Sequence, residues 1–362
     1  MGTLPNATQL ATWLDALTSL GGLSGYEYPV RAYMAETLRP WADAVHTDPL
    51  GNLIARFGPE RAEHRLAVLA HMDTVGLMIT QILPDGMLRV VQVGGVNVRA
   101  LSGAAVEIWH TPTAADVPQL PGVTGVIGVR SQHLARAGEA PPSVEALYVQ
   151  IAPEDAARVR ITAPVTYAPQ HVRQGAHLYS SPHLDDRAGC AALLALGEWL
   201  GQRGVPTSDT AIYLVGTVQE ETTCAGALHA LQAIRPRAAI FVDGTLSYDT
   251  PDTRGRGSVL LGAGPVLNAF LYVSGLNGWH ADPHWRARLR RVAETRDIPY
   301  QEDAIRGLMS DARAALWAGV PSVMVGVPMR GKHAPLETVH LGDLTHAARL
   351  LIAAATEWSE EL

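Results

Sequence analysis

Apolar positions at the start of the chain recur at helical spacing. Leu10, Trp13, Leu14 and Leu17 share one face of a first predicted helix. Gly21-Gly22-Leu23-Ser24-Gly25 interrupts the pattern, and Val30, Tyr33, Met34 and Leu38 set out a second helix. Short β-type runs follow at residues 44–47, 53–57 and 66–70. Asp48-Pro49-Leu50-Gly51-Asn52 forms a turn between the first two.

Between about Ile79 and Val165 the pattern changes. Short β runs at 88–93, 105–109, 123–129 and 147–151 alternate with Gly and Pro turns, and one loop, 135–143, is rich in Pro and Ala. Helical periodicity is confined to a stretch near 154–158. Several short strands at regular spacing predict a small all-β unit. After Asp186 the alternation of helix and strand resumes. Helices are predicted at 190–200, 226–234, 283–295, 310–317 and 344–356, and strands at 210–216, 238–242, 266–273 and 321–325. The layout predicts an α/β layer protein with a small β unit inserted into it. The boundaries drawn are 1–77 and 169–362 for the α/β domain and 78–168 for the insertion.

Composition narrows the function classes. The chain has 362 residues, 47% hydrophobic and 17% charged, with a net charge of −7 and a pI near 6.0. An acidic chain without clustered Lys and Arg argues against nucleic acid as a partner. The densest basic stretch, Arg286 to Arg291, lies at helical spacing among Trp285, Leu289 and Val292 and reads as a solvated helix face. Two cysteines, Cys190 and Cys224, make no disulfide framework and read as buried packing residues. The N-terminus lacks the basic start and apolar core of a signal peptide, and no run reaches the ~18 apolar residues of a membrane span. The expectation is a cytoplasmic protein with no membrane partner.

Five stretches concentrate His, Asp and Glu at the ends of apolar runs. They are His71-Met72-Asp73, Asp185-Asp186, Glu220-Glu221, Val242-Asp243 and the loop Gly331-Lys332-His333. In an extended chain residues two apart point to one side, so Asp73 is placed to orient His71. Two adjacent glutamates at the end of a buried strand are costly unless solvated or met by cations. Taken singly, each stretch has an ordinary explanation as a cap, turn or core histidine. Together they gather where α/β proteins collect ligands, at the carboxyl ends of strands. Their donors suit zinc, cobalt or manganese. His183 is close to Asp185 and is a candidate to line such a site. His64, His110, His133, His171, His177, His229 and His284 lack a carboxylate at useful spacing.

In this order and spacing the motifs resemble the tetrahedral aminopeptidase family, whose members are often labelled glutamyl aminopeptidase or endoglucanase. The likeness also takes in Gly22-Leu23-Ser24-Gly25-Tyr26-Glu27, Asp48 to Asn52, Val93-Gly94-Gly95, Gly262-Ala263-Gly264-Pro265, Ser310-Asp311-Ala312 and His333-Ala334-Pro335-Leu336-Glu337. The resemblance implies an α/β/α metallopeptidase domain with a mixed sheet, carrying an inserted β dimerisation domain. It implies two divalent metal ions, zinc or cobalt with manganese as an option. His71 and Asp243 would bind one and Glu221 and His333 the other. Asp185 would bridge them, and the peptide bond between Asp185 and Asp186 would be cis. Glu220 would be the general base and Asp73 would support His71. The implied substrates are short peptides cleaved at the N-terminus, and the implied partner is the chain itself, as dimers that build a hollow twelve-subunit tetrahedron.

Three places depart from the family pattern. Thr74 stands where Glu is usual, Pro182-His183 where Lys-Ala is usual, and Arg330-Gly331-Lys332-His333-Ala334-Pro335 where Arg-Tyr-x-His-Ser-Pro is usual. The ligands and the base are retained. The rival readings are a related amidohydrolase or deacylase with the same metal pair, and a metal-stabilised shell protein without turnover. A glycosidase would need two free carboxylates flanking the sugar bond, and here the resemblance commits them to metal.

Overall fold

The computed structural model describes residues 4–109, 121–128, 131–134, 143–275 and 277–358. Of the sequence features above, the 135–142 part of the Pro- and Ala-rich loop, Val129, His110 and the first three residues lie outside them.

A large mixed sheet organises the chain. Its path runs through Ala44–Thr47, Leu53–Phe57, Thr210–Thr217, His64–His71, Ala238–Leu246, Ser322–Arg330, Glu337–His340, Leu178–Ser181 and Val172–Gln174. The four central strands, Thr210–Thr217, His64–His71, Ala238–Leu246 and Ser322–Arg330, are mutually parallel. They are buried over nearly their whole length, as continuous apolar runs covered on both faces should be. Ala7–Thr18, Leu184–Arg203 and Leu341–Thr356 pack together as one helical layer, and Ala225–Ile234 and Ala312–Ala318 pair in the other. The first helix starts where Asn6 Oδ1 accepts from Gln9 N at 2.9 Å, and it buries the predicted stripe of Leu10, Trp13, Leu14 and Leu17.

The inserted unit is a closed barrel of Gly76–Ile82, Met87–Val93, Tyr148–Gln150, Pro121–Ile127, Ala105–Trp109 and Pro164–Tyr167. It has its own apolar core, with Leu77, Ile79, Leu88, Val106, Ile108 and Val149 inside. The predicted class therefore stands: an α/β protein with a small all-β insertion. Residues 153–158 form a short 3-10 turn where weak helical periodicity was read.

Several elements are longer than their pattern suggested, among them Ala238–Leu246, predicted to end at Val242. The helix predicted from Cys190 begins at Leu184. Its first turns are buried on every side, the polar Asp185, Asp186 and Arg187 as well as Ala188, Gly189, Ala191 and Ala192, so no alternation of polar and apolar faces marks its start. The strand predicted to end at Val325 continues to Arg330. Gly326 and Pro328, residue types that commonly end strands, both keep register against Ala238–Leu246. The Arg286–Arg291 stretch lies on Pro283–Thr295, where Arg286 and Arg290 reach Glu302 at the surface and Leu289 and Val292 turn inward.

The barrel seats on the glycine break between the first two helices. Trp109 donates its indole N–H to Thr166 Oγ1 at 2.8 Å and lies over Gly21. A Cβ on Gly21 would approach the Trp109 ring to 2.2 Å. Gly21→Ala should therefore cost about 1–3 kcal/mol through overpacking. Urea unfolding of the two proteins checks this; an unchanged midpoint would mean that the Trp109 contact is not tight.

Candidate metal centre

Six of the seven predicted site residues lie on or just beyond strands of the parallel sheet, and Asp185 joins them from a helix. His71 is the last residue of His64–His71 and lies in register with Thr217, three residues before Glu220. Asp243 sits within Ala238–Leu246, and His333 follows Ser322–Arg330 on a tight turn. Asp185 enters from the first turn of Leu184–Arg203, where Asp185 and Asp186 depart from helical geometry and the bond joining them is cis.

The side chains converge. His71 Nε2 lies 3.5 Å from Asp185 Oδ1, 3.7 Å from Asp243 Oδ1 and 4.0 Å from Glu220 Oε2. His333 Nε2 lies 3.2 Å from Asp185 Oδ2 and 3.4 Å from Glu221 Oε1. The two oxygens of Asp185 thus face two different His and carboxylate pairs. His71, Asp185 and Asp243 are each 2% exposed, and His333, a quarter exposed, faces the outside.

A second set of carboxylates grips the backbone that carries these groups. Asp73 accepts from the N–H groups of Glu220 and Glu221, both at 3.0 Å, and lies 3.4 Å from His71 Nδ1. That ring nitrogen is nearer the Asp73 carbonyl oxygen, at 3.1 Å, so Asp73 orients His71 through its main chain as well as its side chain. Glu337 accepts from Asp185 N at 2.9 Å and from His333 N at 2.5 Å. Glu27 accepts from Gly25 N and from Gln219 N. Four non-glycine residues at the rim, His183, Gln219, Cys224 and His333, hold positive φ, a conformation that persists only when neighbours over-determine it. The barrel closes one side: His333 Nδ1 meets Gly95 O at 2.7 Å, and Tyr167 donates to His333 O.

Electrostatics show what the cluster lacks. Burial pushes Glu220 well above the usual carboxylate range, helped by Glu221 and Asp243 and opposed by His71. Burial, and then Asp185 against the pull of His333, raises Glu221 to about 7. Burial alone would lower His333, but Asp185 and Glu221 raise it to about 9. Both oxygens of Asp185, one of Asp186 and one of Glu221 are buried without a hydrogen bond. The close neighbours of the Asp185 and Glu221 oxygens are ammonium or imidazole nitrogens. Atoms of His71, Asp185 and Glu221 fall within 4.8 Å of one another, as do atoms of Asp185, Asp186 and Asp243. Imidazole and carboxylate donors with unspent lone pairs fit a borderline divalent cation.

Residues 51–350 match the M42 glutamyl aminopeptidase family. The chain belongs to that family. It is 30% identical over 348 residues to the lysyl aminopeptidase of Pyrococcus furiosus, covering 93% of this chain and 94% of that one. It is 34% identical over 355 residues to SgcX of Escherichia coli, provisionally named an aminopeptidase, covering 94% and 92%. Among solved structures, aminopeptidase APDkam598 of Desulfurococcus kamchatkensis superposes with a TM-score of 0.86 at 30% identity, over 97% of this chain and 95% of that one. The TET1 peptidase of Pyrococcus horikoshii, which can assemble into a tetrahedron or a large octahedral shell, gives 0.82 at 28% identity, over 96% and 99%.

Two departures of this M42 chain are a single feature. The Thr74 hydroxyl meets His183 Nδ1 at 2.9 Å, and His183 Nε2 lies 3.2 Å from Tyr167 O, with the two rings stacked. Both ring nitrogens are engaged, so His183 braces the barrel junction and does not line the site. Burial and the Arg187 charge hold it neutral, with its pKa lowered to about 3. Spacing along the chain misread other histidines too: His229 meets Asp48 at 2.9 Å, His64 meets Asp209 at 3.7 Å and His171 meets Asp15 at 3.8 Å, all through long-range contacts. Both cysteines are buried and free, as expected. Among the described residues no helix is long and apolar enough to cross a membrane.

Glu337→Ala would strand two buried N–H groups, at an expected cost of about 2–4 kcal/mol. Glu337→Gln, which keeps one carbonyl acceptor, should recover part of it. Urea unfolding of the metal-stripped proteins measures both, and equal losses would contradict the two-amide grip.

Proposed function

We propose that this chain is a metal-dependent aminopeptidase that removes N-terminal residues from short peptides. The observation that carries the reading is the division of Asp185, one oxygen toward His71 and Asp243 and the other toward His333 and Glu221. His71 and Asp243 would hold one divalent ion and Glu221 and His333 a second, with Asp185 shared. Zinc, cobalt and manganese all suit these donors. When bound, such a pair lowers the pKa of a water and polarises the scissile carbonyl.

The chain's own groups supply the rest. Glu220 stands 4.0 Å from His71 and almost out of water. It takes the proton of the attacking water and returns it to the departing amine. Its burial and crowding raise its proton affinity, which suits a group that must both accept and release a proton. Asp73 fixes Glu220 and Glu221 by their N–H groups and fixes His71 by its ring. Carboxylates at the centre attract a free α-ammonium group and offer no such attraction to an N-acylated substrate, which favours cleavage at the N-terminus.

On this reading residues 1–77 and 169–362 form the catalytic unit and 78–168 the dimerisation unit. Dimers would build a hollow twelve-subunit shell that admits short peptides, in the cytoplasm. The assembled state of the Pyrococcus horikoshii relative supports this.

A panel of aminoacyl-p-nitroanilides, assayed with and without added zinc or cobalt beside N-acetylated controls, tests the activity. Metal-dependent release from free-amine substrates alone is expected. Glu220→Gln should keep its metal content and lose about 10²–10⁴-fold in kcat. Cleavage of the acetylated controls would point instead to a deacylase, and silence of a metal-loaded sample to a shell protein.

A further inference from the structure

Lys332 is the only lysine in the chain; every other member of the 28 Lys and Arg residues is Arg. Its side chain also reaches into the acidic centre. Its ammonium lies 2.9 Å from Asp185 Oδ2, 3.4 Å from Asp243 Oδ1 and 3.0 Å from Gly244 O, and the side chain is 10% exposed. These are not spare oxygens. Asp185 Oδ2 also faces His333, and Asp243 Oδ1 also faces His71. One ammonium therefore touches an oxygen from each half of the centre. A compact point charge with three donors can do this, whereas the flat fork of a guanidinium suits a single carboxylate. An ammonium at these distances competes for the same oxygens with a divalent ion, which would approach them to the ~2.0–2.2 Å of a zinc–carboxylate bond. Two cations so close would also repel each other strongly in a buried site.

We propose that Lys332 is a built-in placeholder cation, which holds Asp185 and Asp243 together in the metal-free protein and is displaced when metal loads. The proposal rests on the metal-centre reading above. It gives the empty site a reason to stay formed, since carboxylates buried without a cation are costly. It also makes metal binding an exchange of cations, weaker than the same ligands would give alone.

The lone lysine makes this directly observable. Protein grown with ¹³C,¹⁵N-lysine carries one labelled side chain. In metal-stripped protein its Cε and Nζ signals should show a fixed, buried ammonium. Titration with zinc should shift them in step with occupancy toward those of a mobile lysine. Zinc binding with no change in the signal overturns the proposal. Lys332→Met, of similar length and uncharged, should bind zinc at least about tenfold more tightly by calorimetry. Its metal-free form should melt below wild type and its zinc-loaded form should not. Equal or weaker zinc affinity in folded Lys332→Met also overturns the proposal. If that variant does not fold without metal, the wild-type titration decides alone. Failure of wild-type protein to bind zinc at all would instead overturn the metal-centre reading, and this proposal with it.

Discussion

Asp185, Asp243, Glu220 and Glu221 lie within a few ångströms of one another and almost out of water, and most of the architecture around them answers that constraint. Carboxylates so buried must protonate, find cations or force the fold apart. The sheet supplies the first part of the answer. Its parallel strands end together, so groups distant in sequence arrive on one plane without long loops. Cations supply the second part: His71, His333 and Lys332 interleave with the acids, while burial still holds Glu220 and Glu221 above the usual carboxylate range.

A further layer turns charge into geometry. Asp73, Glu337 and Glu27 accept from the N–H groups of the residues that converge on the centre or of their neighbours. Each grip ties two points of backbone, so the side chains they carry cannot drift apart. Oriented neighbours of this kind set the affinity of a metal site as much as the ligands themselves. The barrel belongs to this layer as well. Through Gly95 and Tyr167 it fixes the ring and carbonyl of His333, and through Trp109 it rests on the Gly21 break. Fold stability and site geometry are for that reason hard to separate in this protein.

Much of this was legible along the chain. Apolar runs ending in His71 and Asp243 announced buried strands with polar tips, and the change to short β runs announced the barrel. Other features were not legible, among them the short strands Leu178–Ser181, Gln301–Arg306 and Glu337–His340. The start of the Leu184–Arg203 helix was hidden because residues buried on every side leave no period to read. The extension of Ser322–Arg330 was hidden because Gly and Pro inside a covered strand look like turn residues. Partnerships across long separations, Thr74 with His183 and Asp48 with His229, have no local signature at all. Lys332 is different. Its signal was present in the composition, as one lysine among many arginines, but motif reading treats the residue before His333 as a spacer.

The central claim is that Asp185 is shared between two cations. Elemental analysis of protein dialysed to equilibrium against excess zinc counts them directly, in wild type and in Asp185→Asn. The account predicts two ions per chain in wild type and fewer than one in the variant, since neutralising the shared carboxylate weakens both halves. One ion or none in wild type, or an unchanged count in Asp185→Asn, would contradict it.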